Sequence, residues 1–274
     1  KELGATEFVG YERLSADAEV CAIVRNGERV DSLSAGEQGE VVLNVTPFYA
    51  EMGGEVGDTG TITADGVELQ VTDTKAPEKG LVCHVATVAS GVLTVGMAVS
   101  AQVDVKRRAC IARNHTCTHI LHAALRQVLG AHVKQAGSYV GPDRLRFDFT
   151  HFESVTPEQL KQVEELANSI IMSATATNIF ETSLAKAREE GVTALFGEKY
   201  GDVVRVVKVG DFSSELCGGC HVANTAEIGL VKIVSESSVG ANLRRIEAFT
   251  SYDALTYLNG FEHQMKELSA TLRV

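Results

Sequence analysis

Four residues able to ligate a soft metal ion stand in two pairs of equal spacing. His115 and His119 frame the run His115-Thr116-Cys117-Thr118-His119, and Cys217 and His221 frame Cys217-Gly218-Gly219-Cys220-His221. On a helix, imidazoles at i and i+4 project from one face, a turn apart. The glycine pair of the second run permits the tight backbone that turns a thiolate and an imidazole toward one point. Together they form a donor set that zinc takes as a tetrahedron, and their softness argues against magnesium or calcium. Cys220 is an alternative thiol, but adjacent side chains rarely converge on one ion, so Cys217 is the better partner for His221. Such an ion fixes a substrate and activates water, which points to hydrolysis. Four protein ligands close a tetrahedron, whereas catalytic zinc usually keeps one position open. Spacing leaves undecided whether a ligand departs, the coordination expands or the metal only shapes the pocket. His122 is expected to support the site and Cys117 to pack.

These residues need elements to position them. From about Lys106 to Leu129, Ile111, Ile120, Ala124, Leu125, Val128 and Leu129 recur at helical spacing, and Gly130 is a stop. The preceding hundred residues carry short apolar or alternating runs at Val20–Val24, Glu40–Val45, Val67–Val71, Leu81–Val88 and Ala98–Val105, punctuated by glycines. That pattern predicts a compact barrel, with Gly53-Gly54 and Gly57-Asp58-Thr59-Gly60 as a bulged corner. After the long helix, strands are expected at Tyr139–Val140, Arg144–Phe149, Val203–Val209, Gly229–Ser235 and Leu243–Thr250. Thr156-Pro157-Glu158 starts a helix reaching about Ser173. A shorter helix covers Ser183–Glu190, and a last one runs from about Asp253 off the end as if truncated. The fold class expected is α+β: a small N-terminal β-barrel over 1–105, an α+β core with a long metal-bearing helix over 106–250, and the start of a C-terminal helix over 251–274.

Composition narrows the class. The 274 residues are 45% hydrophobic, with a net charge of −11, which argues against a generic nucleic-acid coat. No apolar run is long enough to span a bilayer and no basic-then-apolar leader opens the chain, so no membrane partner and a cytoplasmic location are expected. Six irregularly spaced cysteines argue for thiols rather than a disulfide framework. Lys106-Arg107-Arg108 and Arg244-Arg245 are the clusters best suited to phosphate. The first opens a helix, where basic charge opposes the dipole and hints at a task other than stability.

Over nearly all of its length the chain resembles the editing region of alanyl-tRNA synthetase. The resemblance rests on Thr46-Pro47-Phe48-Tyr49-Ala50-Glu51 with Gly53-Gly54, on Asn114 through Arg126, and on Gln135-Ala136-Gly137-Ser138. It continues through Arg144–Phe149, Leu195–Asp202, Glu215–Gly219 and Arg244–Glu247. It implies deacylation of tRNA(Ala) wrongly carrying serine or glycine, with one zinc ion. By the same resemblance His115, His119, Cys217 and His221 match the four metal positions, and Gln135 matches a glutamine of the editing pocket. Cys220 stands where the family usually has threonine, and Cys117 where it usually has alanine or serine. Gln135, Thr116 and Thr118 are the expected donors to a serine hydroxyl or to the attacking water, with Cys217 essential to activity.

The chain reads as an excised part of a ligase, with ATP and magnesium belonging only to an aminoacylation domain outside it. The expected partners are the tRNA(Ala) acceptor end and the remaining synthetase domains, and the helix around Glu262–Leu272 resembles the start of a coiled-coil arm. Three alternatives stand: a freestanding alanyl-tRNA editing deacylase, the related editing domain of threonyl-tRNA synthetase, and a zinc-stabilised tRNA-binding module without turnover. The upstream barrel and the segments at Gln135 and Arg144 favour the alanyl reading over the threonyl one.

Overall fold

The computed structural model describes residues 4–194 and 200–272, and the chain divides into two compact units, Lys1–Ala109 and Cys110–Val274. Strands of the first unit are β1 (Glu7–Phe8), β2 (Ser15–Arg25), β3 (Glu28–Val30), β4 (Ser32–Ser34), β5 (Gln38–Leu43) and β6 (Val45–Thr46). They are followed by β7 (Gly60–Ala64), β8 (Val67–Glu78), β9 (Leu81–Ser90), β10 (Val92–Thr94) and β11 (Ala98–Val103). The sheet order β11-β7-β8-β9-β5-β2 closes on itself through antiparallel β11–β2 pairing, with β3 added as a hairpin on β2. Closure removes the exposed strand edges that would otherwise template aggregation. Alternation puts Val20, Leu43, Ile62, Leu69, Val71, Ala86, Val99 and Ala101 inside, where they form one buried core. The glycine cluster is where backbones touch: a Cβ on Gly57 would stand 2.2 Å from the Thr74 carbonyl oxygen. Strand β7 was not expected, because its five residues open on a glycine and carry one fully buried apolar side chain, Ile62.

The second unit contains most of α1 (Val105–Leu129), then β12 (Gln135–Val140), β13 (Leu145–Thr150), α2 (Pro157–Met172), β14 (Thr177–Ser183) and α3 (Leu184–Glu189). It ends with β15 (Val203–Val209), β16 (Ser213–Leu216), β17 (Val231–Gly240), β18 (Leu243–Thr250) and α4 (Ser251–Leu272). One antiparallel sheet has the order β12-β13-β18-β17 and a second the order β14-β15-β16. Residues Ile120, Leu121, Ala124 and Leu125 of α1 pack with Phe147, Phe149, Ile246 and Ala248 of the larger sheet and with Val163, Ala167 and Ile171 of α2.

Helix ends follow local chemistry. Thr156 and Gln159 close a reciprocal capping box on α2. At α1 the Asp104 carboxylate accepts the backbone N–H groups of Lys106 and Arg107, each at 3.0 Å. That acid offsets the basic residues at the positive helix end. Strand β14 escaped sequence reading because it is an edge strand with Ile179 exposed, and β12 begins earlier than expected because a bulge between Gln135 and Gly137 breaks its alternation. Along α4, exposed Leu258, Phe261, Met265, Leu268 and Leu272 follow the 3–4 spacing of a coiled-coil seam. No described helix is long and apolar enough to cross a membrane.

Candidate metal centre

All four ligand-type residues belong to the second unit, and the fold brings them together. His115 and His119 leave the same face of α1, with ring centroids 5.3 Å apart. Cys217 and His221 come from the loop after β16. Arg205 of β15 pins that loop by donating to the carbonyl oxygens of Cys217 at 2.9 Å and Gly219 at 2.8 Å. The ring of His221 lies 4.3 Å from that of His115 and 4.8 Å from that of His119. One ligand atom from each of His115, His119, Cys217 and His221 lies within 4.8 Å of the others, so the group could hold a metal ion.

Electrostatics prepare the thiol. Burial alone would push the Cys217 pKa up, but His115, His221 and His119 outweigh it and hold it well below the usual thiol range. Its sulfur stands 3.3 Å from Nε2 of both His115 and His221 and accepts the Gly219 N–H at 3.4 Å. Burial, reinforced by His115, pushes His221 down to about 3, so it is a neutral imidazole at ordinary pH. Its Nδ1 lies 3.1 Å from Thr116 Oγ1, which also accepts the Val222 N–H at 3.2 Å. With Nδ1–H donated to Thr116, Nε2 is left facing Cys217. Fixing a ring by a hydrogen bond at its other nitrogen is how ligating histidines are commonly oriented.

Behind the four donors lies a residue that spacing did not single out. Glu215 is buried on β16, with Oε1 2.9 Å from His122 Nδ1 and Oε2 3.9 Å from His119 Nδ1. Burial would raise its carboxyl pKa, but His119 and His122 bring it below the usual range, and His119 is raised in turn against its own burial cost. His122 turns its ring to Phe147 at 5.1 Å. Among the described residues neither His119 Nδ1 nor His122 Nε2 has a hydrogen-bond partner. The signal available in the sequence was position, an acid two residues before Cys217.

The remaining residues singled out from the sequence have the following places. Thr118 donates to the Asn114 carbonyl at 2.8 Å, the back-bond a helical threonine makes to its preceding turn. Gln135 pairs in register with Phe149, which puts it on the sheet face carrying the core phenylalanines, and its amide donates to Ser138 Oγ at 3.4 Å. Arg108 is no surface phosphate contact. It is buried in the first unit, its guanidinium gripping the Asp58 carboxylate and donating to the carbonyls of Gly10 and Pro47. Arg107 donates to the Gly57 carbonyl at 2.8 Å, and Lys106 is exposed. Arg244 makes a two-pronged pair with Glu236 at 2.5 and 2.7 Å, and Arg245 one with Asp148 at 2.7 and 2.8 Å. These arginines could meet phosphate only by sharing or leaving carboxylates. Cys117 and Cys220 are buried thiols, and burial raises the Cys117 pKa. Residues 195–199 of the Leu195–Asp202 stretch lie outside the described residues.

The chain is similar to known proteins along its whole length. Residues 1–107 match the family "tRNA synthetases class II (A)", and residues 204–247 match the "Threonyl and Alanyl tRNA synthetase second additional domain". The latter stretch contains both Cys217 and His221. The whole chain aligns at 53% identity with 31% of the alanine–tRNA ligase of Pelotomaculum thermopropionicum. With the enzymes of Desulforamulus reducens and Desulforudis audaxviator it aligns at 51% and 52%, again over 100% of the chain and 31% of each relative. The chain thus spans about a third of the length of these relatives, and from end to end it resembles the editing region of the alanyl-tRNA synthetases.

Proposed function

We propose that this chain hydrolyses the ester joining serine or glycine to tRNA(Ala), with one zinc ion held by His115, His119, Cys217 and His221. The observation that carries this reading is the convergence of those four donors within 4.8 Å. The set fits the ion. Usual zinc–nitrogen and zinc–sulfur bonds give a tetrahedron with edges of about 3.3–3.7 Å. Cys217 Sγ already stands 3.3 Å from two of the imidazole nitrogens. Zinc, when bound, supplies Lewis acidity toward an ester carbonyl or a water molecule.

The chain's own residues then divide the remaining work. Cys217 and His221 are held in the thiolate and neutral forms that ligation needs. Thr116, with its oxygen engaged by His221 and Val222, keeps its hydroxyl hydrogen for a substrate oxygen. Gln135 offers an amide to a serine hydroxyl, and a site built to bond that hydroxyl penalises an alanyl group lacking it. Thr118 acts through the helix backbone. The partners in this reading are the acceptor end of tRNA(Ala) and the other synthetase domains, in the cytoplasm, with 106–250 as the editing core.

The test is deacylation of Ser-tRNA(Ala) against Ala-tRNA(Ala), with and without zinc. Selective hydrolysis of the seryl ester, lost in Cys217→Ala, is expected. Full activity in that variant removes Cys217 from the site. Zinc and tRNA binding with no turnover would favour a non-catalytic module instead.

A further inference from the structure

A row of aromatic rings at one end of the larger sheet is not used by the metal centre. The Phe152 ring lies nearly parallel to that of His132, with centroids 5.3 Å apart at 23°. His151 lies edge to edge with His132, centroids 5.2 Å apart at 21°, and Phe149 follows at 6.5 Å and 35°. The row is rigidly held. His132 Nε2 and His151 Nδ1 share a hydrogen bond of 2.9 Å, Thr150 Oγ1 donates to the His132 carbonyl, and the His151 N–H donates to the Asn242 carbonyl. Yet the outermost ring, Phe152, is 70% exposed. A large aromatic kept in water beside a fixed imidazole gains little from burial, and its ring surface is available to another flat ring.

We propose that Phe152, backed by His132, which His151 holds in place, is a stacking platform for an unpaired nucleobase at the single-stranded end of the RNA substrate. This rests on the deacylase reading above and adds a binding contact to it. Every base has a π-face, so stacking on an aromatic ring binds single strands with little sequence preference. The row ends beside a residue expected to bind substrate: its inner member, Phe149, is the register partner of Gln135. Exposed Lys134 lies between His132 and Gln135 in the chain and suits the accompanying phosphate.

The chain contains no tryptophan, so Phe152→Trp introduces a single fluorescent reporter. Titrating that variant with a short unpaired oligoribonucleotide is expected to quench its emission saturably. Phe152→Ala is expected to weaken oligonucleotide binding and to raise KM for deacylation of Ser-tRNA(Ala) about tenfold with kcat kept, while Phe152→Trp retains the parent KM. Because Phe152 is exposed, an unchanged melting temperature in the alanine variant will exclude misfolding. The proposal is overturned by a Phe152→Ala protein with parental oligonucleotide affinity and KM, or by emission that RNA does not alter. Absence of all deacylase activity in the parent would count against the deacylase reading, and the fluorescence titration would still decide the platform.

Discussion

Changing Glu215 to glutamine tests whether a buried carboxylate orients the metal ligands. The residue is 5% exposed and its carboxylate reaches His122 at 2.9 Å and His119 at 3.9 Å. Glutamine keeps the volume and one oxygen for the His122 N–H, but it removes the charge and turns N–H donors toward His119 Nδ1. If His119 ligates through Nε2, its Nδ1 carries a hydrogen, and two donors then face each other. Mutating a group behind a metal ligand typically lowers metal affinity about 10- to 100-fold, or about 1.4–2.7 kcal/mol. Zinc affinity measured by chelator competition should fall by that amount in Glu215→Gln. Stability of the metal-free protein in urea should fall by only about 1–3 kcal/mol, the range for a charge-assisted hydrogen bond weakened but not deleted. Glu215→Ala should cost more, about 3–5 kcal/mol, because it leaves His122 without its hydrogen-bond partner and His119 without its buried counter-charge. In His119→Ala the effect of Glu215→Gln on zinc affinity should shrink, since contacting residues couple in a double-mutant cycle. Zinc binding by Glu215→Gln within twofold of the parent refutes the orienting role.

Three further outcomes concern the first unit. His84 is buried, bonds Thr46 Oγ1 at 2.7 Å and the Val41 carbonyl at 2.8 Å, and is pushed by burial from 6.5 to about 4. It therefore stays neutral in the fold. Its contribution is full above pH 6.5 and is lost as pH falls toward 4, by about 3 kcal/mol in all. Urea unfolding of His84→Gln should lack that part of the pH slope, and an identical slope in parent and variant contradicts the assignment. Arg108→Met should destabilise by about 3–5 kcal/mol because Asp58 is left as a buried, uncompensated charge; a loss below 1 kcal/mol in denaturant titration would be inconsistent with that. Gly57→Ala forces the backbone away from the Thr74 carbonyl and should cost about 1–3 kcal/mol, read as a lower melting temperature.

Much of the fold could be read locally. Glycine-punctuated alternation through Ala98–Val103 announced a barrel, and 3.6-residue spacing announced α1, because both periods are properties of neighbouring residues. Strand β14 could not be read this way, since an edge strand buries too little to impose a pattern. The same limit governed charge. Arg108, Arg244 and Arg245 looked like phosphate contacts because a sequence shows charges but not their partners. Asp58 lies 50 residues from Arg108, and Asp148 lies 97 from Arg245.

The candidate site divides along that line. By itself the sequence determined the donor types and their local geometry. His115 and His119 share a helix face because they are four apart, and Cys217 and His221 can turn inward because glycines separate them. Only the tertiary structure decided that the two halves meet, with Cys217 Sγ 3.3 Å from a histidine 102 positions earlier. It also decided that Glu215, to which the spacing assigned no role, is buried behind them. Both follow from strand pairing and helix packing across the second unit, where burial strips water from the charges and leaves each one to be balanced by its neighbours.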